Sequence, residues 1–174
     1  MLDLETMGTK PYSAIVAIGA VLFDTTSQDI EKEFYAPVSL ESCIEHGLRC
    51  DPSTICWWMR QGDEARNAIA NVAGLPLRHA LFEFAALFSE KSQLEVWGNG
   101  SDFDNVLLTC AYERANIKLP WSPFKNRCYR TIKSMAPDLK IQRVGTHHNA
   151  LDDARSQAIH LMKLLGGMAI EWAS

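Results

Sequence analysis

An unbroken apolar run covers residues 13–23 and contains several β-branched side chains. A run of this kind, followed by the polar turn Asp24-Thr25-Thr26, predicts a buried strand. A second strand is expected at residues 32–38, and the two strands should form a hairpin.

Helical spacing of apolar residues dominates the rest of the chain. A helix should start at Asp51-Pro52-Ser53, with Ser53 as its cap, and continue through residues 57–59. Further helices are expected from near Pro76, from Ser101, over residues 129–135 and over about 149–165, the last closed by Gly166 and Gly167. A short buried strand is expected at residues 94–97. Strands followed by alternating helices and strands predict an α/β domain with a mixed sheet.

The composition is that of a globular protein, with 174 residues of which 47% are hydrophobic. A chain of this size can bury a substantial core, so we expect one domain over residues 1–174. No stretch reaches the roughly 18 apolar residues of a membrane span, and the start lacks the pattern of a signal peptide. We therefore expect a soluble, cytoplasmic protein.

The five cysteines include no Cys-x-x-Cys pair, which argues against a disulfide framework and fits a reducing compartment. Cys43, His46, Cys50 and Cys56 fall close together and offer zinc ligands. Their spacing matches no common zinc module, so small buried cysteines are the favoured interpretation.

The net charge of −4 argues against a broad basic face for nucleic acid. A local reversal occurs at residues 118–143, where a single acid, Asp138, accompanies several basic residues: Lys118, Lys125, Arg127, Arg130, Lys133, Lys140 and Arg143. Trp121, Phe124 and Tyr129 lie among them. This composition is typical of a groove that binds a nucleic-acid strand, with Arg127 and Arg130 as candidate substrate ligands, and equally of an ordinary solvated face.

Candidate chemistry begins at Asp3 and Glu5. Two residues apart on a strand, their carboxylates point to the same side and can share cations. Asp-x-Glu pairs are also common on protein surfaces, so this pair alone is weak evidence.

Helix periodicity chooses between Asp102 and Asp104. Helical steps from Asp104 lead to an apolar face, whereas the same steps from Asp102 lead to a mostly polar one. Asp102 is therefore expected to cap the helix or to face solvent. Asp104 faces inward, where a carboxylate is unfavourable unless it is paired or binds metal.

The last candidate segment is residues 147–153, at the head of the final helix. A histidine suits proton abstraction from water near neutral pH, and a carboxylate one turn away can hold metal. The periodicity does not decide between Asp152 and Asp153, and capping residues with exposed histidines are the simpler explanation of this segment alone.

In their order along the chain, these segments resemble the DEDDh exonucleases, the superfamily of RNase T, oligoribonuclease and the proofreading domain of DNA polymerase III. The resemblance is carried by Asp3-Leu4-Glu5-Thr6, by Phe103-Asp104 and by His148-Asn149-Ala150-Leu151-Asp152-Asp153. It selects His148 and Asp153 over their neighbours, and Asn149 in place of a tyrosine indicates the histidine type. The segments 3–11 and 53–66 look most like phage-type exonucleases and the related bacterial exoribonuclease branch.

The resemblance implies an RNase H-like fold, a five-stranded mixed sheet flanked by helices. It implies that two Mg²⁺ or Mn²⁺ ions are held by Asp3, Glu5, Asp104 and Asp153, with His148 as general base. Thr6 would lie near the 3′-terminal nucleotide, and a homodimer is expected. The expected activity is 3′→5′ removal of nucleotides from single-stranded DNA or RNA. The alternatives are a nucleic-acid-binding module without turnover and a phosphodiesterase of very short oligonucleotides.

Two details of the sequence bear on this expectation. The adjacent Trp57 and Trp58 point about 100° apart on a helix, so one should be core while the other stacks on a base or lies in a subunit interface. Only two residues precede Asp3, so either the first strand is short or the printed sequence begins inside it.

Overall fold

The computed structural model describes residues 1–70, 73–89 and 94–173. The strands are β1 (Leu2–Thr6), β2 (Ile15–Asp24), β3 (Asp29–Pro37), β4 (Val96–Gly98) and β5 (Asn126–Cys128). The helices are α1 (Leu40–Glu45), α2 (Pro52–Trp58), α3 (Asp63–Ala70), α4 (Leu77–Ala85), α5 (Asp104–Arg114), α6 (Tyr129–Met135) and α7 (Ala150–Ala173). Two short 3₁₀ helices lie at Ala86–Phe88 and Pro123–Lys125.

The strands form one five-stranded sheet in the order β3-β2-β1-β4-β5. β2 pairs antiparallel with both β1 and β3, whereas β4 pairs parallel with β1 and β5. The predicted mixed sheet is therefore confirmed. The short first strand lies at its centre, so the residues that β1 carries are enclosed by neighbours on both sides.

The hairpin predicted near the start of the chain is confirmed as β2 and β3. β2 is buried along most of its length, as its continuous apolar sequence requires. Its turn is stabilised by the side chain of Asp24, whose Oδ1 accepts a hydrogen bond from the backbone N–H of Thr26 at 2.6 Å. Gln28 takes a left-handed φ of 61° on the way into β3.

Alternation along β1 separates apolar from acidic side chains. Leu2 and Leu4 belong to a buried cluster that also contains residues of α4 and α5, whereas Met1 belongs to a second cluster with residues of α6 and α7. Because successive side chains of a strand point to opposite faces, Asp3 and Glu5 project to the side of α7. The core thus directs both carboxylates toward one helix.

Three predicted helix boundaries were wrong, and one of them is the start of α5, which is Asp104 and not Ser101. The N-cap of α2 is Asp51, not Ser53, because the proline at the first helical position fixes the start one residue after Asp51. The last helix does not close at Gly166 and Gly167 but continues to Ala173. Glycine weakens a helix interior by only about 1 kcal/mol. Among the described glycines, φ is positive at Gly47, Gly100 and Gly145, and of these three Gly47 follows the end of a helix, α1.

Cys43 is buried, as the favoured interpretation predicts, whereas Cys50, Cys110 and Cys128 are half-buried and Cys56 is exposed. All five thiols are free, and the thiol of Cys43 is fully buried and donates to the carbonyl of Ile15 at 3.3 Å. Within the described residues, the side-chain groups with the spacing of metal ligands contain no cysteine. Among the helices of the described ranges, none has the length and apolar character needed to cross a membrane.

Candidate active site

The carboxylates of β1 lie beside α7, with Glu5 buried and Asp3 half-buried. Gln157 of α7 donates from Nε2 to Oδ1 of Asp3 at 2.8 Å. Glu5 is 8% exposed, and its Oε1 is buried without a hydrogen-bond partner among the described residues. A buried carboxylate oxygen without a partner is unfavourable unless something outside the polypeptide satisfies it.

A glycine lets α7 reach these carboxylates. Gly19 of β2 pairs with Asp3 across the sheet. A Cβ atom at Gly19 would lie 2.1 Å from the carbonyl carbon of Ala150, the first residue of α7. Only a residue without a side chain permits this approach of helix and strand backbones. The first turn of α7 thereby delivers Asp153 to the face that carries Asp3 and Glu5.

Asp104 enters the site from the head of α5. Its side chain is almost completely buried, and its two oxygens accept backbone hydrogen bonds from Leu4 at 3.2 Å and Asn99 at 3.1 Å. The apolar face predicted for this helix is confirmed by the burial of residues 107, 108, 111 and 115. Asp102 is exposed, as expected, although the N-cap itself is Phe103. Gly98 lets the head of α5 pack closely, since a Cβ there would lie 2.3 Å from Asn105 Oδ1 and 3.3 Å from Asp104 Oδ2.

Burial raises the pKa of Asp3, Glu5 and Asp104, and mutual repulsion adds to this at Asp3 and Glu5. Burial raises the pKa of Glu5 to about 8, and the charges of Asp153 and Asp104 add to the effect. Burial also raises the pKa of Asp104 to about 7, against the opposing hydrogen bonds from Leu4 and Asn99. The pKa of Asp3 lies well above its usual range because of burial and the neighbouring Asp104 and Glu5. Bound cations would reverse each of these effects.

The donor set fits hard divalent cations. Ligand oxygens of Asp3, Glu5 and Asp153 lie within 4.8 Å of one another. The backbone bonds to Asp104 bring a fourth carboxylate to the same group, close enough to raise the pKa of both Asp3 and Glu5. Clustered carboxylates suit Mg²⁺ and Mn²⁺, and the unpartnered Glu5 oxygen is the atom that a cation would satisfy.

His148 stands at the edge of the cluster on a turn of unusual backbone geometry. Its φ of 62° lies in the left-handed region, which is rare for residues other than glycine. This turn aims its backbone N–H at Asp153 Oδ2, 3.2 Å away. The ring lies edge-to-face against Trp57 and Trp58, with centroids 5.0 and 6.1 Å away. Burial and the neighbouring His147 lower the pKa of His148, which favours the neutral ring.

An aromatic cleft of about 390 Å³ adjoins the carboxylates and is lined by Glu5, Thr6, Trp57, Trp58 and Phe103, among others. Trp58 is the core member of the tryptophan pair, and its indole N–H donates to the carbonyl of Thr6 at 2.9 Å. Trp57 remains 42% exposed at the cleft. The expectation that one tryptophan is core is therefore confirmed, and the cleft has room for an aromatic base beside Thr6.

The basic segment at residues 118–143 differs from the expected groove in its aromatic residues. Trp121 and Tyr129 are buried in the two core clusters and offer no stacking surface, whereas Phe124 is 92% exposed. Arg127 forms an ion pair with Glu95 at 2.5 Å. Arg130 donates to the carbonyl of Asn99 at 2.7 Å, and its charge lowers the pKa of Asp104. Of these two arginines, Arg130 therefore lies nearer the carboxylates.

Two contacts to the cluster were not predicted from the sequence, although Arg143 was named as a member of the basic segment 118–143. Gln157, which binds Asp3, stands one helical turn after Asp153, so the spacing from Asp153 was its available signal. Arg143, whose guanidinium binds Asp153 Oδ1, lies in an irregular loop, where no periodicity points to it.

Three solved structures of 3′-exonucleases are similar in fold to this chain. One is the nuclease domain of 3′hExo, a DEDDh family member bound to rAMP; the TM-score is 0.62 at 16% identity, over 95% of this chain and 90% of that one. Another concerns 3′-end recognition of a histone mRNA stem-loop by 3′-exonuclease. Its TM-score is 0.62 at 16% identity, over 95% of this chain and 80% of that one. For a full-length 3′-exonuclease the TM-score is 0.60 at 17% identity, over 95% of this chain and 80% of that one. The fold is therefore the RNase H-like fold expected from the sequence.

The chain belongs to the family described as the 3′-5′ exoribonuclease Rv2179c-like domain, which matches residues 1–165. Among proteins with curated descriptions, none matches this sequence.

Proposed function

We propose that this protein is a DEDDh-type 3′→5′ exonuclease that uses two divalent cations to remove nucleotides from single-stranded nucleic acid. The observation that carries the proposal is the convergence of Asp3, Glu5, Asp104, Asp153 and His148 beside one aromatic cleft. Membership of an exoribonuclease family supports the reaction and makes RNA the first substrate to test.

The four carboxylates would hold two Mg²⁺ or Mn²⁺ ions, which would activate the attacking water and neutralise charge on the leaving oxygen. Gln157 orients Asp3 through one hydrogen bond, and the backbone of Leu4 and Asn99 orients Asp104. These bonds fix the carboxylates of Asp3 and Asp104 before any cation arrives, so these two side chains rearrange little on binding.

His148 is the proposed general base. Its lowered pKa keeps the ring neutral near pH 7, so it can accept the proton of the attacking water. The edges of Trp57 and Trp58 limit the positions of the ring. Thr6 and the exposed Trp57 are proposed to receive the 3′-terminal nucleotide in the cleft. A single domain and a symmetric homodimer stay predictions.

A strand-degradation assay tests the function and the choice of histidine. A 5′-labelled single strand with Mg²⁺ should give a descending ladder, and EDTA should abolish it. His148→Ala should lower kcat about 10²- to 10⁴-fold, since general-base catalysis contributes that much. His147→Ala is the comparison variant: this exposed histidine contacts the ring of His148, with centroids 3.8 Å apart, but it is not the proposed base, so its loss should leave most activity. Similar losses in both variants would contradict the assignment of His148.

The same assay separates the alternative functions. RNA, DNA and a dinucleotide are compared side by side at equal concentrations. Cleavage of the dinucleotide alone would favour a phosphodiesterase of very short oligonucleotides. Binding without cleavage of any substrate by the folded protein would favour a nucleic-acid-binding module and refute the enzyme.

The two candidate strand-binding arginines are expected to differ in effect. Arg130→Ala should weaken strand binding and reduce the salt slope by about 0.7, the value for one lost phosphate contact on a single strand. Arg127→Ala should have a smaller effect, because Glu95 already neutralises this charge. The measurement is the dependence of log Kd on log salt concentration for a labelled strand. An unchanged slope in both variants would remove these arginines from the strand-binding surface.

A further inference from the structure

A guanidinium lies beside the carboxylate cluster. Arg143 donates from Nη1 to Oδ1 of Asp153, one of the proposed cation ligands. The Arg143 side chain is 48% exposed, whereas the Asp153 side chain is 12% exposed, so the guanidinium approaches the cluster from its solvent side. The other oxygen of Asp153 accepts the backbone N–H of His148.

We propose that Arg143 is a substrate-binding residue that changes partner when cations bind: it pairs with Asp153 in the ion-free protein and with a phosphate of the strand in the loaded one. The inference rests on the proposed function. It assigns to one loop residue both competition with cations for Asp153 and recognition of the substrate phosphate.

Electrostatics dictates the change of partner. Oδ1 of Asp153 is the oxygen nearest to a positive guanidinium, and it belongs to the carboxylate group that would surround a cation. A divalent cation on this carboxylate repels the guanidinium at short range, so the two compete for one partner. A substrate phosphate that binds the cations places negative charge beside the guanidinium. Two of its oxygens can accept a bidentate pair of hydrogen bonds from the guanidinium.

The loop around Arg143 permits this movement of the side chain while fixing its backbone. The carbonyl of Leu139 accepts from His160 Nε2 at 2.9 Å, and the N–H of Val144 donates to Ser156 Oγ at 2.9 Å. Both partners belong to α7. The released guanidinium therefore stays within one side-chain length of Asp153, at the entrance to the cluster.

Other arginines near the cluster have partners that cation binding leaves in place. Arg127 pairs with Glu95, and Arg130 donates to the carbonyl of Asn99. Arg155 bridges Glu33 and Asp152. The ion pair of Arg143, in contrast, is made with a proposed cation ligand, so loading of the site itself makes this charge available to the substrate.

Calorimetric titration with Mn²⁺ in the absence of nucleic acid tests the competition. Arg143→Gln should bind Mn²⁺ roughly three- to tenfold more tightly than the wild type, because the competing charge is gone. The Mn²⁺ affinity of Arg143→Lys should lie between those of Arg143→Gln and the wild type. Lys140→Gln is the matched control, since it removes an exposed positive charge from the same loop and should leave the affinity unchanged.

Kinetics on a labelled single strand at saturating Mn²⁺ test the phosphate contact. Arg143→Gln should lower kcat/KM roughly 10- to 100-fold, mainly through KM, and should reduce its salt slope by about 0.7. Arg143→Lys should restore part of kcat/KM, as a charge without the bidentate fork. Thermal melts of each variant establish that it is folded.

Opposite changes in Mn²⁺ affinity and in kcat/KM for Arg143→Gln are the result expected. Unchanged or weaker Mn²⁺ binding would overturn the competition. Tighter Mn²⁺ binding with unchanged kcat/KM would overturn the phosphate contact. A wild-type protein that binds Mn²⁺ but degrades no strand would overturn the proposed function instead, and the titration would still decide whether Arg143 competes with cations.

Discussion

Replacement of Asp104 by asparagine is expected to lower kcat at least about a hundredfold, since even the partners of metal ligands typically contribute ten- to hundredfold. The same change at Asp102 should leave kcat within about twofold, as surface substitutions usually do. Both aspartates lie at the head of α5, but Asp104 is buried among the carboxylates while Asp102 faces solvent. Asparagine keeps the size of the side chain and removes the charge that would bind a cation.

The comparison is made by strand degradation at saturating Mg²⁺, with Mn²⁺ affinity measured in parallel. Asp104→Asn should weaken Mn²⁺ binding, whereas Asp102→Asn should not. Equal effects of the two substitutions would show that the charge of α5, and not the position of one carboxylate, is what matters. Full activity of a folded Asp104→Asn would remove Asp104 from the proposed site.

Asp104 is the site residue that local sequence pattern could predict. A helix of 3.6 residues per turn relates each position to its face, so the apolar residues along α5 fix the direction of Asp104. The alternation of side chains along a strand likewise predicts that Asp3 and Glu5 share one face, and the structure bears this out. Periodicity failed at Asn105: it fell on the mostly polar face but is fully buried, where its Nδ2 donates to the carbonyl of Val96 at 2.9 Å.

The rest of the site depends on contacts between distant segments, which periodicity does not encode. The choice of His148 and Asp153 came from the family resemblance alone. Gly19 pairs with Asp3 and admits the head of α7, a role that appears only when sheet register and helix position are known together. The contact between Trp57 and His148 joins residues from opposite halves of the chain. Single-sequence patterns describe faces of elements but not which elements meet.

The raised pKa values of the cluster lead to a second large effect, on stability. Glu5 has a pKa of about 8 in the folded, ion-free protein and about 4.3 in an unfolded chain. Between these values the folded state holds a proton that the unfolded state has released, so the free energy of unfolding falls as pH rises through this window. Asp104, with a pKa of about 7, acts in the same direction.

The melting temperature in EDTA should therefore fall from pH 5 to pH 8, apart from contributions of other groups. One such group is His160, whose pKa is lowered by burial and which stabilises the fold as pH rises. The variant Glu5→Gln separates the contribution of Glu5 to the pH dependence of stability from that of His160, because it retains His160 and removes only the carboxylate. At pH 8 in EDTA, Glu5→Gln should melt at least about 3 °C above the wild type, the shift that roughly 1 kcal/mol produces in a chain of this size.

Cations should reverse the order of the melting temperatures of the wild type and Glu5→Gln. Mg²⁺ or Mn²⁺ binds the ionised cluster of the folded state, so it should raise the melting temperature of the wild type strongly at pH 8 and little at pH 5. Glu5→Gln should respond weakly at both pH values and should lose strand degradation.

The two proteins are compared by thermal melts across pH 5–8, with EDTA and with each cation. A wild type whose melting temperature in EDTA follows that of Glu5→Gln at every pH would show that Glu5 carries no burial penalty. A variant that is inactive yet more stable without cations is the result that ties the unpartnered Glu5 oxygen to cation binding.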